Sequence, residues 1–119
     1  MILEKIKLKN FRNFEEREFS FAEGKNLIVG PNTAGKTNLL EAIYLFSSGQ
    51  SFRAKKIEEM VHFGQEVAHL EARVGGEEKR QLQIVLTNGQ VGGQRTVLSR
   101  WLVNGVAKAK GNFLGNFLA

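Results

Sequence analysis

The first third of the sequence contains the octapeptide Gly30-Pro31-Asn32-Thr33-Ala34-Gly35-Lys36-Thr37. It fits G-x-x-x-x-G-K-[ST], the pattern of a phosphate-binding P-loop. The apolar run 26–29 before it is typical of a buried parallel strand. After it, apolar residues recur at helical spacing, at Leu39, Leu40, Ile43 and Phe46. This spacing predicts a helix over 38–46. The octapeptide therefore has the strand–loop–helix context that the motif requires, and a chance match in an ordinary turn is the weaker alternative.

The residue types of the octapeptide suit the binding of nucleotide phosphates. Gly30 and Gly35 let the backbone curl so that successive N–H groups point at phosphate oxygens. The N-terminal end of the following helix adds a partial positive charge. Lys36 is expected to reach the β- and γ-phosphates, and the Thr37 hydroxyl is expected to ligate Mg²⁺. We therefore expect residues 30–37 to bind a nucleotide.

Composition narrows the class of protein. The 119 residues include no cysteine, which excludes a disulfide scaffold and a thiolate metal site and fits a reducing cytosol. The sequence shows no stretch apolar enough to span a membrane, and its N-terminus does not resemble a signal peptide. We therefore expect a cytoplasmic location and no membrane partner. The net charge of +5 suits a polyanion partner such as nucleic acid, although solubility alone explains it equally well.

The sequence lacks one type of acidic residue that a P-loop ATPase needs. All 12 are glutamate, and the sequence has no aspartate. P-loop NTPases hold Mg²⁺ with the P-loop Ser or Thr and with a Walker B aspartate at the end of another strand. We therefore expect that the chain carries half of a nucleotide site. It is either an N-terminal fragment or a protein that binds nucleotide without hydrolysing it.

Before the P-loop the pattern predicts a strand hairpin. Apolar and basic residues alternate over 1–9, which predicts a strand with one apolar and one cationic face. Residues 10–14 are expected to form a turn, and 16–21 a second strand. The cationic face carries Lys5, Lys7 and Lys9. These lysines are candidates for contact with DNA phosphate. The alternative is the solvated face of an edge strand, where lysines discourage aggregation.

After the P-loop helix the pattern changes to a β-meander. A short helix is expected over 57–63, ended by Gly64. Strands are expected over 67–74 and 81–86, a flexible hairpin loop over 87–94, and extended structure over 95–103 with Trp101 packed on the sheet. Asn104-Gly105 predicts a two-residue hairpin, and 108–119 predict a short helix whose apolar face suggests a chain cut mid-fold. The two histidines, His62 and His69, are expected to be structural or exposed.

The combined order predicts a mixed α/β fold, which resembles the head of an ABC-type ATPase. Four stretches together resemble the RecF family, of the SMC-like branch of these ATPases. They are 8–14 (Leu-Lys-Asn-Phe-Arg-Asn-Phe), the Walker A region 28–44, 49–53 (Gly-Gln-Ser-Phe-Arg), and 103–105 (Val-Asn-Gly). In 49–53, Gln50 stands where the family usually has arginine. The likeness covers nearly the whole chain and is more specific than the P-loop alone.

The resemblance implies a function and further site residues. It implies a slow DNA-dependent ATPase that uses ATP and Mg²⁺, forms an ATP-dependent homodimer, and binds single-stranded or gapped DNA. With RecO and RecR, such proteins help load recombinase at single-strand gaps, in replication, repair and the SOS response. By the same resemblance, Arg12 and Asn13 would lie near the nucleotide and Asn32 near its γ-phosphate. Arg53 would contact phosphate or DNA, or else form a surface salt bridge.

The chain also departs from the family. Residues 1–119 resemble only the N-terminal lobe, without the helical lobe, the signature motif or Walker B. Because ATP in this class is sandwiched between one subunit's P-loop and the other's signature motif, we expect this chain alone not to hydrolyse ATP. Two alternatives stay open. One is the head of another SMC-like ATPase such as RecN. The other is a non-hydrolysing basic module that binds nucleic acid.

Overall fold

The computed structural model describes residues 2–21, 33–75 and 78–114. The strand expected over 26–29 and the first three residues of the octapeptide lie outside the described residues. The described elements, in chain order, are β1 (Ile2–Phe11), β2 (Phe14–Ser20), α1 (Thr33–Ser48), a 3₁₀ helix (Ile57–Met60), β3 (Val67–Gly75), β4 (Arg80–Thr87), β5 (Gln90–Val91), β6 (Gln94–Arg95), β7 (Ser99–Val103), β8 (Val106–Lys108) and α2 (Lys110–Phe113). The predicted mixed α/β architecture, with a hairpin before the P-loop helix and a β-meander after it, is confirmed.

The hairpin and the meander belong to one sheet. Six strands pair in the order β2-β1-β3-β4-β7-β8, and each neighbouring pair is antiparallel. The β1 strand therefore lies between β2 and β3. The edge-strand alternative for its lysine row is wrong, because both sides of β1 are paired along the row. The β5 and β6 strands form a separate two-stranded ribbon.

The β1–β2 turn is tighter than the sequence predicts. The first strand continues to Phe11, which pairs with Phe14, so only Arg12 and Asn13 lie between the strands. Asn10 and Arg12 have positive φ values of 54° and 53°. The strand extends beyond Lys9 because Phe11 is fully buried and also bridges to Val61. This geometry turns the Arg12 side chain away from the ladder and toward α1.

The core lies between α1 and one face of the sheet. Ile6 and Leu8 of β1 are fully buried, as their alternation with lysines predicts. Helix α1 buries its residues at i, i+3, i+4, i+7 spacing, namely Asn38, Leu39, Glu41, Ala42, Leu45 and Phe46. Leu40, expected on this face, is 49% exposed because it lies on the opposite side of the helix. Gly49, with φ 78°, follows the helix and its N–H donates to Leu45 O.

The helix expected over 57–63 is only one 3₁₀ turn. It ends at Met60 because the following backbone groups bond to the β1–β2 turn instead of continuing the helix. The Arg12 N–H donates to Met60 O at 2.8 Å, and the His62 N–H donates to Asn10 O at 2.7 Å. Met60 and Val61 are buried, as predicted. The turn after them contains Gly64 with φ 83°.

The second half of the chain forms the predicted meander with one correction. Residues 96–98 are irregular rather than extended, although the Thr87 N–H still donates to Leu98 O and the Thr87 hydroxyl donates to Val97 O. Asn104 and Gly105 form the expected two-residue turn, with φ values of 50° and 81°. The helix predicted in the tail is α2 only, and residues 115–119 lie outside the described part. Phe113 of α2 is fully buried, with its ring centroid 5.2 Å from that of Trp101.

Candidate functional site

The octapeptide meets the described structure where α1 begins. Gly30, Pro31 and Asn32 lie outside the described residues, so the phosphate loop itself stays a prediction. Thr33 to Thr37 form the first turn of α1. The backbone of Thr33 and Ala34 is helical, and Gly35, Lys36 and Thr37 are half-buried. A helix that starts within the motif is the local geometry that a P-loop requires.

One turn further along, a buried carboxylate joins three segments of the chain. Glu41 of α1 is fully buried. The Arg12 guanidinium donates Nε–H to Glu41 Oε1 and Nη2–H to Oε2, both at 2.7 Å. Arg53 adds bonds of 3.2 Å from Nε to Oε2 and from Nη2 to Oε1, and the Ser51 hydroxyl donates to Oε2 at 2.5 Å. We call Arg12, Glu41, Ser51 and Arg53 the Glu41 cluster.

The cluster keeps its carboxylate ionised. Burial alone would raise the pKa of Glu41, but the hydrogen bonds from Arg12, Arg53 and Ser51 outweigh it and hold the pKa at about 2. The same bond to Glu41 raises the pKa of Arg12 above its ordinary value. Glu41 is therefore ionised and Arg12 protonated at neutral pH, and Arg53 brings a second guanidinium group. Their charges sum to +1, since two guanidinium groups face one carboxylate.

Backbone contacts fix the position of the Arg12 main chain. Its N–H donates to Met60 O, and its carbonyl oxygen lies 2.6 Å from His62 Nδ1. The role of His62 is therefore structural, as predicted. Arg12 has a positive φ, and both its N–H and its carbonyl oxygen contact the segment 60–62. These contacts hold the β1–β2 turn in one conformation. The guanidinium is consequently positioned by both its backbone and its carboxylate partner.

Two asparagines extend the polar contacts. Asn38 of α1 donates from Nδ2 to Asn13 Oδ1 and accepts from Arg53 Nη2 at its own Oδ1. Asn13 is thereby joined to Arg53 through a residue of the P-loop helix. Arg12, Asn13 and Arg53, three of the four residues that the resemblance implied, are thus brought together by side chains that the sequence did not single out. The fourth, Asn32, lies outside the described residues.

These side chains line an open cavity of about 570 Å³ beside the start of α1. Arg12, Asn13, Asn38 and Arg53 form one wall, and Phe63 at the rim is 97% exposed. Glu58 and Glu59 also line the cavity, so it carries both signs of charge. Its volume is within the range of small-molecule sites. Because a guanidinium has five N–H donors, Arg12 can bind Glu41 through two of them and still face an anion.

The structure does not bring Lys5, Lys7 and Lys9 to this cavity. They lie on the outer face of the sheet, opposite Ile6 and Leu8. Lys5 Nζ is 3.0 Å from Glu18 Oε1, Lys7 is opposite Glu18 on one side and Glu71 on the other, and Lys9 is opposite Glu16. The hydrogen bond from Lys5 lowers the pKa of Glu18. Their contact with DNA remains a prediction.

Sequence patterns missed Glu41 as a functional residue. A signal for it was present, since it is the one acidic residue inside the predicted helix and lies at i, i+4 spacing from the apolar Leu45. Phe63 gave no such signal.

Among the described residues there is no group of three or more His, Asp or Glu side chains that could hold a metal ion. None of the described helices combines the length and the hydropathy needed to cross a bilayer.

Comparisons with known proteins show the family of the chain. The family model described as the RecF/RecN/SMC N terminal domain matches residues 2–110. The DNA replication and repair protein RecF of Caldanaerobacter subterraneus is 40% identical over 119 residues, which cover 99% of this chain and 31% of that protein. RecF of Lachnospira eligens is 45% identical over 74 residues, which cover 62% of this chain and 20% of that protein.

Solved structures give the same result. The structure of the recombination mediator protein RecF-ATPrS in the RecFOR pathway has a TM-score of 0.81 at 37% identity and matches 97% of this chain and 30% of that one. That of RecF-ATP has a TM-score of 0.81 at 35% identity and matches 98% of this chain and 31% of that one. The chain therefore spans about a third or less of the length of these relatives.

Proposed function

The chain belongs to the RecF/RecN/SMC N-terminal domain family, and on that premise we propose that it forms the ATP-binding N-terminal lobe of a RecF-like protein of DNA replication and recombinational repair. Residues 1–119 would make up this lobe. One of the structurally similar RecF structures is that of RecF-ATP. The phosphates would bind at residues 30–37, with Lys36 at the β- and γ-phosphates.

The observation that carries this proposal is the position of the Glu41 cluster. Two arginines from distant segments meet on the helix that begins in the octapeptide, and they line a cavity of nucleotide size. The carboxylate holds both guanidinium groups in fixed positions against α1, one turn beyond the octapeptide. Fixed guanidinium donors favour an anion such as a phosphate. Phe63 at the rim offers an exposed ring against which a nucleobase could stack.

Mg²⁺ fits this chain only in part. Thr37 would supply one oxygen ligand from the first turn of α1, and ATP phosphates would supply others. The sequence has no aspartate for the Walker B position. When bound with ATP, Mg²⁺ would neutralise phosphate charge. We propose that the chain binds Mg-ATP but does not hydrolyse it alone.

The wider function follows from the family resemblance. We propose that the chain acts in the cytoplasm as part of a protein that binds single-stranded or gapped DNA, forms an ATP-dependent homodimer, and works with RecO and RecR in the response to DNA damage. The described helices include none that crosses a membrane, and the net charge of +5 is compatible with DNA. The matched relatives support the replication and repair role through their names.

A titration of the 119-residue chain with a fluorescent ATP analogue and Mg²⁺ tests the proposal. We expect saturable binding that Lys36→Ala reduces at least tenfold, because the loss removes the charge at the phosphates. Lys9→Ala is the matched control, since it removes the same charge from the outer face of the sheet. Equal affinity of the wild type and Lys36→Ala would refute nucleotide binding at the octapeptide.

A further inference from the structure

A second cavity lies between the C-terminal end of α1 and strand β7, and it shares only Ser51 with the Glu41 cluster. Its volume is about 210 Å³. Leu45, Leu86 and Trp101 form an apolar floor, and each is buried. Gln50 and Ser99 add polar groups to the wall. The nucleotide site proposed above does not use this cavity.

The rim of this cavity is cationic. Lys55, Lys56 and Lys110 all line it, and none of its lining residues is acidic. Lys56 has only a distant partner, with Nζ 4.0 Å from Glu58 Oε1. Lys55 and Lys110 make no ion pair within the described ranges 2–21, 33–75 and 78–114. Three lysines therefore line one concave surface, and the carboxylates that contact residues 55 and 56 are those of Glu58 and of Glu59, which accepts from the Lys55 and Lys56 backbone N–H groups. We call this surface the lysine-rimmed cavity.

The charges on the outer face of the sheet are arranged differently from those at the lysine-rimmed cavity. There, Lys5, Lys7 and Lys9 each lie opposite or in contact with a glutamate of β2. Alternating charges on neighbouring strands cancel within a few ångströms, so the face presents little net potential to a polyanion. The lysine-rimmed cavity has no such alternation among its lining residues. Three lysines therefore line one cavity that has no acidic lining residue, whereas the lysines of β1 lie in a row opposite the glutamates of β2.

The size and floor of the cavity restrict its ligand. About 210 Å³ is below the usual range of sites that enclose a whole small molecule. The Lys110 ammonium lies 5.3 Å from the Trp101 ring centroid, and the Phe113 ring packs against the same residue. The indole is thus already in contact with two side chains and does not offer a free platform for base stacking. A phosphate group of a longer molecule, whose other parts stay outside, fits both facts.

We propose that the lysine-rimmed cavity binds the backbone phosphate of a single nucleic-acid strand that passes across the end of α1. Lys55, Lys56 and Lys110 donate to phosphate oxygens, and the bases stay outside. This inference rests on the proposed DNA-binding function and assigns it to a surface. Binding by phosphate contact alone makes the interaction insensitive to sequence and strongly dependent on salt.

The emission of Trp101 can report binding at this cavity. It is the only tryptophan of the chain, it lies in the cavity floor, and Lys110 contacts its ring. A phosphate that draws Lys110 away from the indole will change the tryptophan emission. The wild type is titrated with a short fluorescein-labelled oligothymidylate over a series of salt concentrations. Anisotropy of the label measures affinity, and Trp101 emission is recorded with an unlabelled strand.

Two double variants with the same net charge separate the surfaces. Lys55→Gln/Lys110→Gln removes two rim charges, and Lys7→Gln/Lys9→Gln removes two from the outer face. The first should bind about tenfold more weakly at about 150 mM salt, with a salt slope smaller by roughly 1.4, as expected for two lost phosphate contacts on a single strand. Its Trp101 response should disappear. The second should bind like the wild type. Circular dichroism melts confirm that both remain folded.

Four results would overturn the inference. They are equal losses in the two double variants, a larger loss in the outer-face variant, strand binding without a change in Trp101 emission, and the same emission change with inorganic pyrophosphate at equal phosphate concentration, which would assign the cavity to small anions. A wild type that binds no strand at low salt would also overturn it. In that case the ATP-analogue titration still decides the nucleotide-binding proposal independently.

Discussion

Replacing Glu41 with glutamine should cost the fold about 3 kcal/mol at neutral pH. Glutamine keeps the size of the side chain and imitates a protonated carboxyl, but it leaves Arg12 and Arg53 facing each other without a counter-ion. The pKa of Glu41 is about 2 against an ordinary 4.5. That difference of roughly 2.5 units corresponds to about 3 kcal/mol of folding free energy. Removing one partner of a buried pair costs about 3–5 kcal/mol in general. Arg53 is 36% exposed, so water screens part of the loss and favours the lower end.

The pH dependence gives the sharper prediction. Because the folded-state pKa of Glu41 is depressed, its stabilisation is complete above the unfolded-state pKa near 4.5 and is lost as pH falls toward 2. The free energy of unfolding should therefore differ between wild type and Glu41→Gln by about 3 kcal/mol at neutral pH. The two should converge as pH approaches 2.

Urea unfolding at a series of pH values, followed by circular dichroism, measures this difference. Glu78→Gln is the matched control, because the Glu78 side chain is 78% exposed and its one ion pair with a described residue is to Arg80 at 3.4 Å. The control should stay within about 0.5 kcal/mol of the wild type at every pH. A Glu41→Gln difference that is constant from neutral pH to pH 3, or smaller than 1 kcal/mol throughout, would refute the reasoning.

Three further substitutions test other parts of the fold. Arg12→Lys should lower the free energy of unfolding by about 1–2 kcal/mol, since lysine cannot donate two parallel bonds to a carboxylate. An unchanged urea denaturation curve would contradict the two-bond contact between Arg12 and Glu41. Gly49→Ala should cost about 1–2 kcal/mol, because φ is 78° there and a Cβ would lie 2.5 Å from Lys110 Cε; Gly92→Ala, with positive φ in open space, separates backbone strain from that clash. Phe113→Ala should cost about 3–5 kcal/mol and shift Trp101 emission to longer wavelength, since the ring is fully buried against the indole; an unchanged emission spectrum would show that the contact is absent.

Local signals in the sequence predicted most of the elements. The alternation in β1, β3 and β4, the helical spacing after the octapeptide, and the Asn104-Gly105 turn each depend on residues a few positions apart. Each of these signals depends only on residues within one element. The element that it predicts therefore does not change when the chain folds. The family resemblance singled out Arg12 and Arg53, and the structure brings both of them to Glu41.

The features that sequence reasoning missed depend on residues far apart in the chain. Nothing local indicates that β1 pairs with β3 across the helix, which moves the lysine row from an edge to the interior of the sheet. The expected helix over 57–63 stops after one turn because its next backbone groups bond to the β1–β2 turn. Glu41 reaches Arg12 across 29 positions. These contacts become visible only when the three segments are placed together.

The Glu41 cluster also has an entropic consequence. A free arginine side chain loses about 2 kcal/mol of rotamer entropy when it is fixed. Here Arg12 and Arg53 lose that freedom during folding, because one carboxylate holds both guanidinium groups. An anion that enters the adjoining cavity therefore does not have to order them again. Ordering one such side chain at an interface costs about 0.5–1.5 kcal/mol, so preorganising two of them strengthens binding by roughly tenfold or more.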